Sequence, residues 1–356
     1  MNAKDQLRTF KKALDAELKK YLDYKTEEAA KISPYAKEMM EHISDLTLRG
    51  GKRIRAALFY YSYVAHGGKN LKEALVTSMA MEMSETFLLI HDDIIDNDIL
   101  RRGGITINEA YSNIGDEKFH SKINPRKFGE SIAILAGNIA SELSNEIIAC
   151  SSFKPEFRMR AILELNKVYV VENYGQMLDL LCQVRDDINK DDVILVHQLK
   201  TVPYTFDGPV KIGAILAGAS ERDIKRLEGY SVPLGTAFQI QDDILGIFGS
   251  EEKLGKPITS DLREGKKTLL ILNALEKANK KQQETINSNL GNKRAGLNSL
   301  LAVRKVIEDT WSLAEAKRLA TNLVQNSIDS ISSMRLKKEG KDFMVNIADY
   351  MIHREY

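Results

Sequence analysis

The segment LLIHDDIIDNDILRRGG at 88–104 places Asp92 and Asp96 four residues apart. On a helix that spacing puts both carboxylates on one face, with Asp93 about a quarter-turn away. Like charges so placed repel each other and destabilise a bare helix, which makes a cation the natural partner. Carboxylates with no paired His or Cys ligands favour a hard cation, and Mg²⁺ is typically held by a few carboxylates plus substrate phosphates. Arg101 and Arg102 follow at once, and arginines beside acids suit a metal-bridged polyanion. An isolated DDxxD also has a plainer reading, as a solvated acidic helix end.

A second acidic patch echoes the first. IHDDIID at 90–96 and IQDDILG at 240–246 share the pattern Ile-x-Asp-Asp-Ile, so Asp242 and Asp243 stand where Asp92 and Asp93 stand in the first copy. Two such helix patches facing one cavity would bind more than one metal. Lys256, Lys266 and Lys267 follow in a Gly-containing loop, where lysine acts as a point charge on phosphate and glycine lets the backbone come close. A third segment, GGKRIRA at 50–56, puts Lys52, Arg53 and Arg55 behind two glycines with no acid among them. Basic residues at a helix start oppose the helix dipole, which makes sense if an anion sits there. Lys200-Thr201, and Gln176 with Asp179 in YGQMLDL, are weaker signals on their own; a buried structural hydrogen bond would explain the latter pair.

The elements that must position these groups read as helices. Only 7 prolines and 22 glycines punctuate 356 residues, too few breakers for a chain built of short strands. Ile224, Leu227, Leu234, Phe238, Leu245 and Phe248 step along one buried stripe, with Ser220 as cap and Pro233 as a kink or a true start. Further helical patterns cover 35–49, 53–66, 71–100, 130–150, 156–185, 190–199, 209–219, 268–281, 297–330 and 338–352. Residues 113–128 and 249–266 read as loops. No linker breaks the composition, so the expectation is a single all-α domain over 1–356.

Charge and composition narrow the partners. Lys and Arg number 51 against 50 Asp and Glu, without the basic excess of a nucleic-acid binder or the blocks of a polybasic membrane patch. No apolar run reaches the roughly 18–20 residues of a membrane helix, and no secretory signal opens the chain. The two cysteines cannot form a disulfide framework, and the expected location is the cytoplasm. No nucleophile stands with a paired base, and the His residues do not cluster as ligands. What remains is an acidic metal cage and separate basic groups in an apolar helical chain. That combination suits a diphosphate with an organic tail, and metal-assisted departure of the diphosphate.

With its motifs in this order, from about Gly50 to the C-terminus, the chain resembles the polyprenyl synthetase family, the trans-isoprenyl diphosphate synthases. The resemblance implies an all-α isoprenoid-synthase bundle around a deep central cavity, usually as a homodimer. It implies head-to-tail condensation of isopentenyl diphosphate onto an allylic diphosphate (dimethylallyl, geranyl or farnesyl), with three Mg²⁺ ions. Asp92, Asp96 and Asp242 would then ligate metal, supported by Asp93 and Asp243. Arg101, Lys200, Lys256 and Lys266 would hold the allylic diphosphate and assist its departure. Thr201 and Gln239 would face the developing allylic cation, Gln176 and Asp179 would order metal-bound water, and Lys52, Arg55 and Arg102 would bind isopentenyl diphosphate.

The chain departs from the family pattern in several places. Glu85 stands where the family usually has His or Gln beside isopentenyl diphosphate, and a carboxylate there should repel a diphosphate unless it is protonated or paired with Lys52 or Arg55. Ala56 replaces a usual Pro, Asn108 a usual His, Asn138 a usual Asp, and Gly246 the last Asp of the second motif. For product length, the tail should grow along the helix away from Asp92, past Leu88, Phe87 and Ser84. A single aromatic, Phe87, five residues before the motif resembles short-chain synthases, with twenty-carbon geranylgeranyl diphosphate as the expected product. Farnesyl or longer farnesylgeranyl diphosphate, a terpene cyclase, and a non-catalytic subunit of a heteromeric synthase are the competing readings. The repeated acidic motif and the second diphosphate site speak against the cyclase.

Overall fold

A computed structural model describes residues 3–119, 122–249 and 258–353. Among them the chain is helical almost throughout, and the strands form a two-stranded antiparallel hairpin. The all-α expectation holds. Contacts divide the chain into two compact units, residues 1–165 with 212–219 and residues 166–211 with 220–356. No helix among the described residues is long and apolar enough to cross a membrane.

In the first unit, α1 (Ala3–Ile32) buries Leu7, Phe10, Leu14, Leu18 and Leu22, a stripe at helical spacing that packs on α2 (Pro34–Leu48). Ser33 caps α2 by accepting from the Ala36 amide, with Pro34 at its first position. The chain continues through α3 (Ile54–Ala65), α4 (Leu71–Thr77) and α5 (Met79–Asp96), the helix of the first acidic motif. The 71–100 pattern thus breaks at Ser78, whose hydroxyl donates back to the Leu75 carbonyl. Strands β1 (Leu100–Arg101) and β2 (Gly104–Ile105) follow, then α6 (Ile107–Phe119) and α7 (Pro125–Ala149). Much of 113–128 is therefore helix rather than loop. Ile107, Ala110, Tyr111 and Gly115 form the buried face of α6, and a glycine in a buried slot hid the period. A small-residue face on α7 (Ala133, Ala136, Gly137, Ala140) is buried where α7 packs on α5. At Gly137 a Cβ would lie 2.3 Å from the His91 ring, so only glycine allows this approach.

In the second unit run the later part of α8 (Pro155–Val184), α9 (Lys190–Val196), two π-helical turns (His197–Thr201 and Pro203–Asp207) and the start of α10 (Gly208–Leu216). After α11 (Glu221–Arg226), capped by Ser220 as expected, α12 (Glu228–Phe248) carries the second acidic motif, and Pro233 lies inside it rather than at its start. Short α13 (Ser260–Glu264) interrupts the expected loop 249–266. Then come α14 (Leu269–Lys277), α15 (Lys280–Asn289), α16 (Leu297–Asp309), α17 (Ser312–Ser333) and α18 (Lys338–His353). The 297–330 pattern is split where Trp311 takes a left-handed φ of 61°. The core of this unit is α12 against α17 and α18, with Tyr230 fully buried and its hydroxyl donating to the Met344 carbonyl at 2.8 Å.

One buried ion cluster fixes the loop that precedes α3. Arg53 adopts a left-handed φ of 58°, which turns its side chain inward. Its guanidinium donates to Asp15 on α1 at 2.7 Å, to Glu82 on α5 at 2.8 Å and to the Thr47 carbonyl at 2.9 Å. The Arg53 and Glu82 side chains are 1% exposed, Asp15 33%. Burial, then the neighbouring Glu85 charge, pushes the Glu82 carboxyl up against the pull of Arg53. Removing one partner of a buried pair strands the other. Arg53→Met should lower unfolding free energy by about 3–5 kcal/mol in chemical denaturation, and Asp15→Asn by far less, since Asp15 keeps access to water.

Candidate active site

Local backbone rules put the first unit's basic groups in place. Gly50, Gly51 and Arg53 all have positive φ (87°, 86° and 58°), so GGKR forms a tight left-handed loop that glycine makes cheap. The β1–β2 hairpin turns at Arg102 and Gly103, both with positive φ (53° and 74°), the pattern of a two-residue type I′ turn. Arg101 is thereby held on the strand and Arg102 at the tip. Arg49, at the end of α2, donates to the Ile105 carbonyl at 2.8 Å and to Asp45 at 2.8 Å. A Cβ on Gly104 would lie 2.2 Å from its guanidinium carbon, so this arginine packs flat on the hairpin. Thr106 and Asn108 close the far side by donating to the Asp98 carbonyl at 2.8 and 3.3 Å.

Two arginine–carboxylate clusters result. In the first, the Arg101 guanidinium reaches Asp93 at 2.5 Å, Asp98 at 2.8 Å and Asp92 at 3.6 Å. Asp93 is buried, Asp92 half-buried and Asp96 exposed at the helix end. Burial pushes the Asp93 carboxyl up to about 7, against the pull of Arg101. In the second, Glu85 Oε1 accepts from Arg102 Nη2 at 2.5 Å and lies 2.9 Å from Arg55 Nη1. Burial alone would raise the Glu85 carboxyl, but Arg55 and Arg102 outweigh it and hold it below the usual range. Glu85 is therefore ionised and paired, with Arg102 as well as with the expected Arg55. A Cβ on Gly51 would lie 3.5 Å from Arg102 Nη2, which brings the GGKR loop to the same place. Lys52, next to Gly51, is half-buried. Phe87, Leu88 and Ser84 are all buried on α5, and Phe87 stacks edge-on to His91 at 4.9 Å.

The second unit holds a cavity of about 340 Å³. Asp242, Asp243, Gln239, Lys200, Thr201, Asp179 and Lys266 all line it, so the structure brings these residues together. Gly175 makes this possible, because a Cβ there would lie 2.3 Å from the Lys200 nitrogen; α8 and the first π-helical turn meet at that point. Lys200 then pairs with Asp179 at 2.7 Å. Thr201 donates to Gln239 Oε1 at 2.8 Å, and Gln239 Nε2 donates to Asp243 at 3.3 Å, which fixes the amide's orientation. Lys266 sits 3.1 Å from Glu264 and 3.9 Å from Asp261. Lys256 lies outside the described residues. Gln176 is half-buried on α8 and is not among the lining residues.

Several contributors escaped the sequence reading. Asp261 reaches the spot that a side chain at Gly246 would fill, with Oδ2 1.9 Å from that Cβ position. The acidic group missing at position 246 is thus matched by one from α13. His197 Nε2 stands 3.2 Å from Asp243 Oδ2. Glu82, Asp15 and Arg49 support the first unit. Only Asp261, close before the lysine pair of a charged loop, left a trace in sequence.

The donors fit magnesium. Among the described residues no three His, Cys, Asp or Glu side chains converge into a ready-made cage. Yet the acidic motifs offer only carboxylate oxygens, and Asp93 Oδ2 and Asp243 Oδ2 are buried without a hydrogen bond. Mg²⁺ needs only one or two carboxylates when phosphate oxygens and water complete its octahedron.

Similarity to known proteins agrees with this chemistry. The polyprenyl synthetase family profile matches residues 35–307. The geranylgeranyl diphosphate synthase of Sulfolobus acidocaldarius is 32% identical over 91% of this chain and 93% of its own. A short chain isoprenyl diphosphate synthase of Methanothermobacter thermautotrophicus is 32% identical over 95% and 98%. In structure, a geranylgeranyl pyrophosphate synthase of Corynebacterium glutamicum, complexed with isoprenyl diphosphate and magnesium, superposes with a TM-score of 0.91 at 27% identity, covering 98% of this chain and 99% of that one. The chain belongs to the polyprenyl synthetase family, magnesium-dependent prenyltransferases that condense isopentenyl diphosphate with an allylic diphosphate.

Proposed function

We propose that this chain makes geranylgeranyl diphosphate by adding isopentenyl diphosphate to shorter allylic diphosphates. The observation that carries the reading is the pairing of two carboxylate patches with two sets of cations on an all-helical frame. Relatives named for geranylgeranyl diphosphate support the chain length, while one named for geranylfarnesyl diphosphate at 31% identity keeps a longer product as the alternative. Both compact units are read as parts of one domain, since the family profile runs through each. The location is read as cytoplasmic.

Each residue's task follows from its chemistry. Asp92, Asp96 and Asp242 would hold Mg²⁺, three ions in all, with Asp93 and Asp243 in support; the metal neutralises the charge that gathers on a departing diphosphate. Arg101, Lys200, Lys256 and Lys266 add hydrogen-bond donors to that leaving group. Thr201 donates its hydroxyl hydrogen to Gln239 in a hydrogen bond, so its lone pairs are left to face an allylic cation and stabilise it. Gln176 and Asp179 order water near the metal, with Asp179 also orienting Lys200. Lys52, Arg55 and Arg102 hold isopentenyl diphosphate while its double bond attacks the cation. The released diphosphate accepts the proton that is lost. Phe87 closes the path of the growing tail. An exposed apolar stripe along α8 (Met159, Leu163, Val170, Tyr174, Met177, Leu181, Val184) at helical spacing supports assembly as a homodimer.

Purified protein is incubated with Mg²⁺, isopentenyl diphosphate and each allylic primer, and the dephosphorylated products are separated by chromatography. A linear twenty-carbon alcohol made by this protein alone is the expected result; no turnover, or a cyclic product, refutes the reading. Asp92→Ala should lower turnover by about 10²–10³-fold with the helical circular dichroism intact, as loss of a charge-stabilising group would require. Phe87→Ala should shift the product beyond twenty carbons, and an unchanged chain length would remove Phe87 from the role of floor.

A further inference from the structure

Glu85 is an acidic group inside the arginine cradle. It sits one helical turn beyond Glu82 on α5, but the two carboxylates have different tasks. Glu82 is committed to Arg53 in the core, whereas Glu85 receives both Arg55 and Arg102 on the same oxygen, at 2.9 and 2.5 Å. The three side chains are 13–19% exposed, so water screens them little but a ligand can still reach them. Arg55 enters from α3 and Arg102 from the hairpin tip, and both meet on Glu85. Two guanidiniums this close would repel each other without a shared anion. A guanidinium has five N–H donors in a fixed fork, so these arginines can be drawn to a carboxylate and a diphosphate, but one negative charge already offsets part of their attraction.

We propose that Glu85 is a positioning residue that acts as a resident anion. It holds Arg55 and Arg102 together while the cradle is empty, and it weakens the binding of any diphosphate that enters. The ligand class is an organic diphosphate; that this is isopentenyl diphosphate rests on the functional reading above. Glu85 thus sets the affinity of the cradle, while Arg101 is engaged separately by Asp92, Asp93 and Asp98.

Glu85→Gln separates charge from shape, since Gln keeps the volume and an acceptor oxygen. Binding of inorganic pyrophosphate is measured by calorimetry with a chelator present, so the carboxylate motifs contribute no metal. Removing one repulsive unit charge at a few ångströms from a partly screened anion should tighten pyrophosphate by about 3–10-fold. KM for isopentenyl diphosphate should fall by a similar factor while KM for the allylic primer stays constant, a split that general loosening would not produce. Arg102→Ala in the Glu85→Gln background should weaken pyrophosphate binding again, because the released guanidinium is one of the donors that binds it. Circular dichroism confirms the fold of each variant, and Glu85→Met offers a second uncharged replacement at the position. Unchanged or weaker pyrophosphate binding in both replacements overturns the inference, as does pyrophosphate binding that is indifferent to loss of Arg102. Tighter pyrophosphate binding in a protein that never turns over isopentenyl diphosphate would sustain the resident anion and refute the functional reading alone.

Discussion

Helix α5 carries Glu82, Glu85, Asp92, Asp93 and Asp96 within five turns, and three of these carboxylates are buried or nearly so. So much like charge on one helix is unfavourable unless cations meet it from outside. The first unit is arranged to bring them. The left-handed GGKR loop turns Arg53 to Glu82 and Arg55 to Glu85, and the type I′ hairpin turns Arg101 to Asp92 and Asp93, with Arg102 to Glu85. The same helix thus sets the spacing between the Glu85 cluster and the aspartate-rich end.

The second unit meets the same constraint by another route. Asp242 and Asp243 line a cavity in which Gln239 donates to Asp243 and Lys200 pairs with Asp179 on α8. The π-helical turns re-aim Lys200 and Thr201 relative to a plain α-helix, and Gly175 gives them room. Where the echoed motif ends in glycine, Asp261 occupies the space. Near-neutral overall charge therefore conceals two segregated sites, each with acids and bases in contact.

What sequence could reveal was what lies close along the chain. Asp92 with Asp96, the glycine pairs, the Arg101–Arg102 turn and the repeated Ile-x-Asp-Asp-Ile pattern are local signals, and so are most helices. The possibility that Glu85 is paired with Arg55 could be posed from its position, but its second partner, Arg102, required the hairpin geometry. Asp15 to Arg53, Arg49 to the hairpin and Asp261 to Gly246 join residues far apart in sequence and follow no short motif. The missed breaks have local causes that periodicity does not register, a serine bonding back at 78 and a left-handed Trp311, and the helix read as a loop hides a buried Gly115 inside α6.

The central claim is that these carboxylates are held by arginines and lysines until a diphosphate arrives, so that metal and diphosphate bind together. Thermal unfolding of the protein reports this directly, because a ligand stabilises in proportion to its affinity for the folded state. With millimolar MgCl₂ alone the melting temperature should move by less than about 1 °C, and with MgCl₂ plus inorganic pyrophosphate it should rise by about 5 °C or more. An equally large rise with MgCl₂ alone would mean that the carboxylates form a metal cage of their own, and would contradict the account.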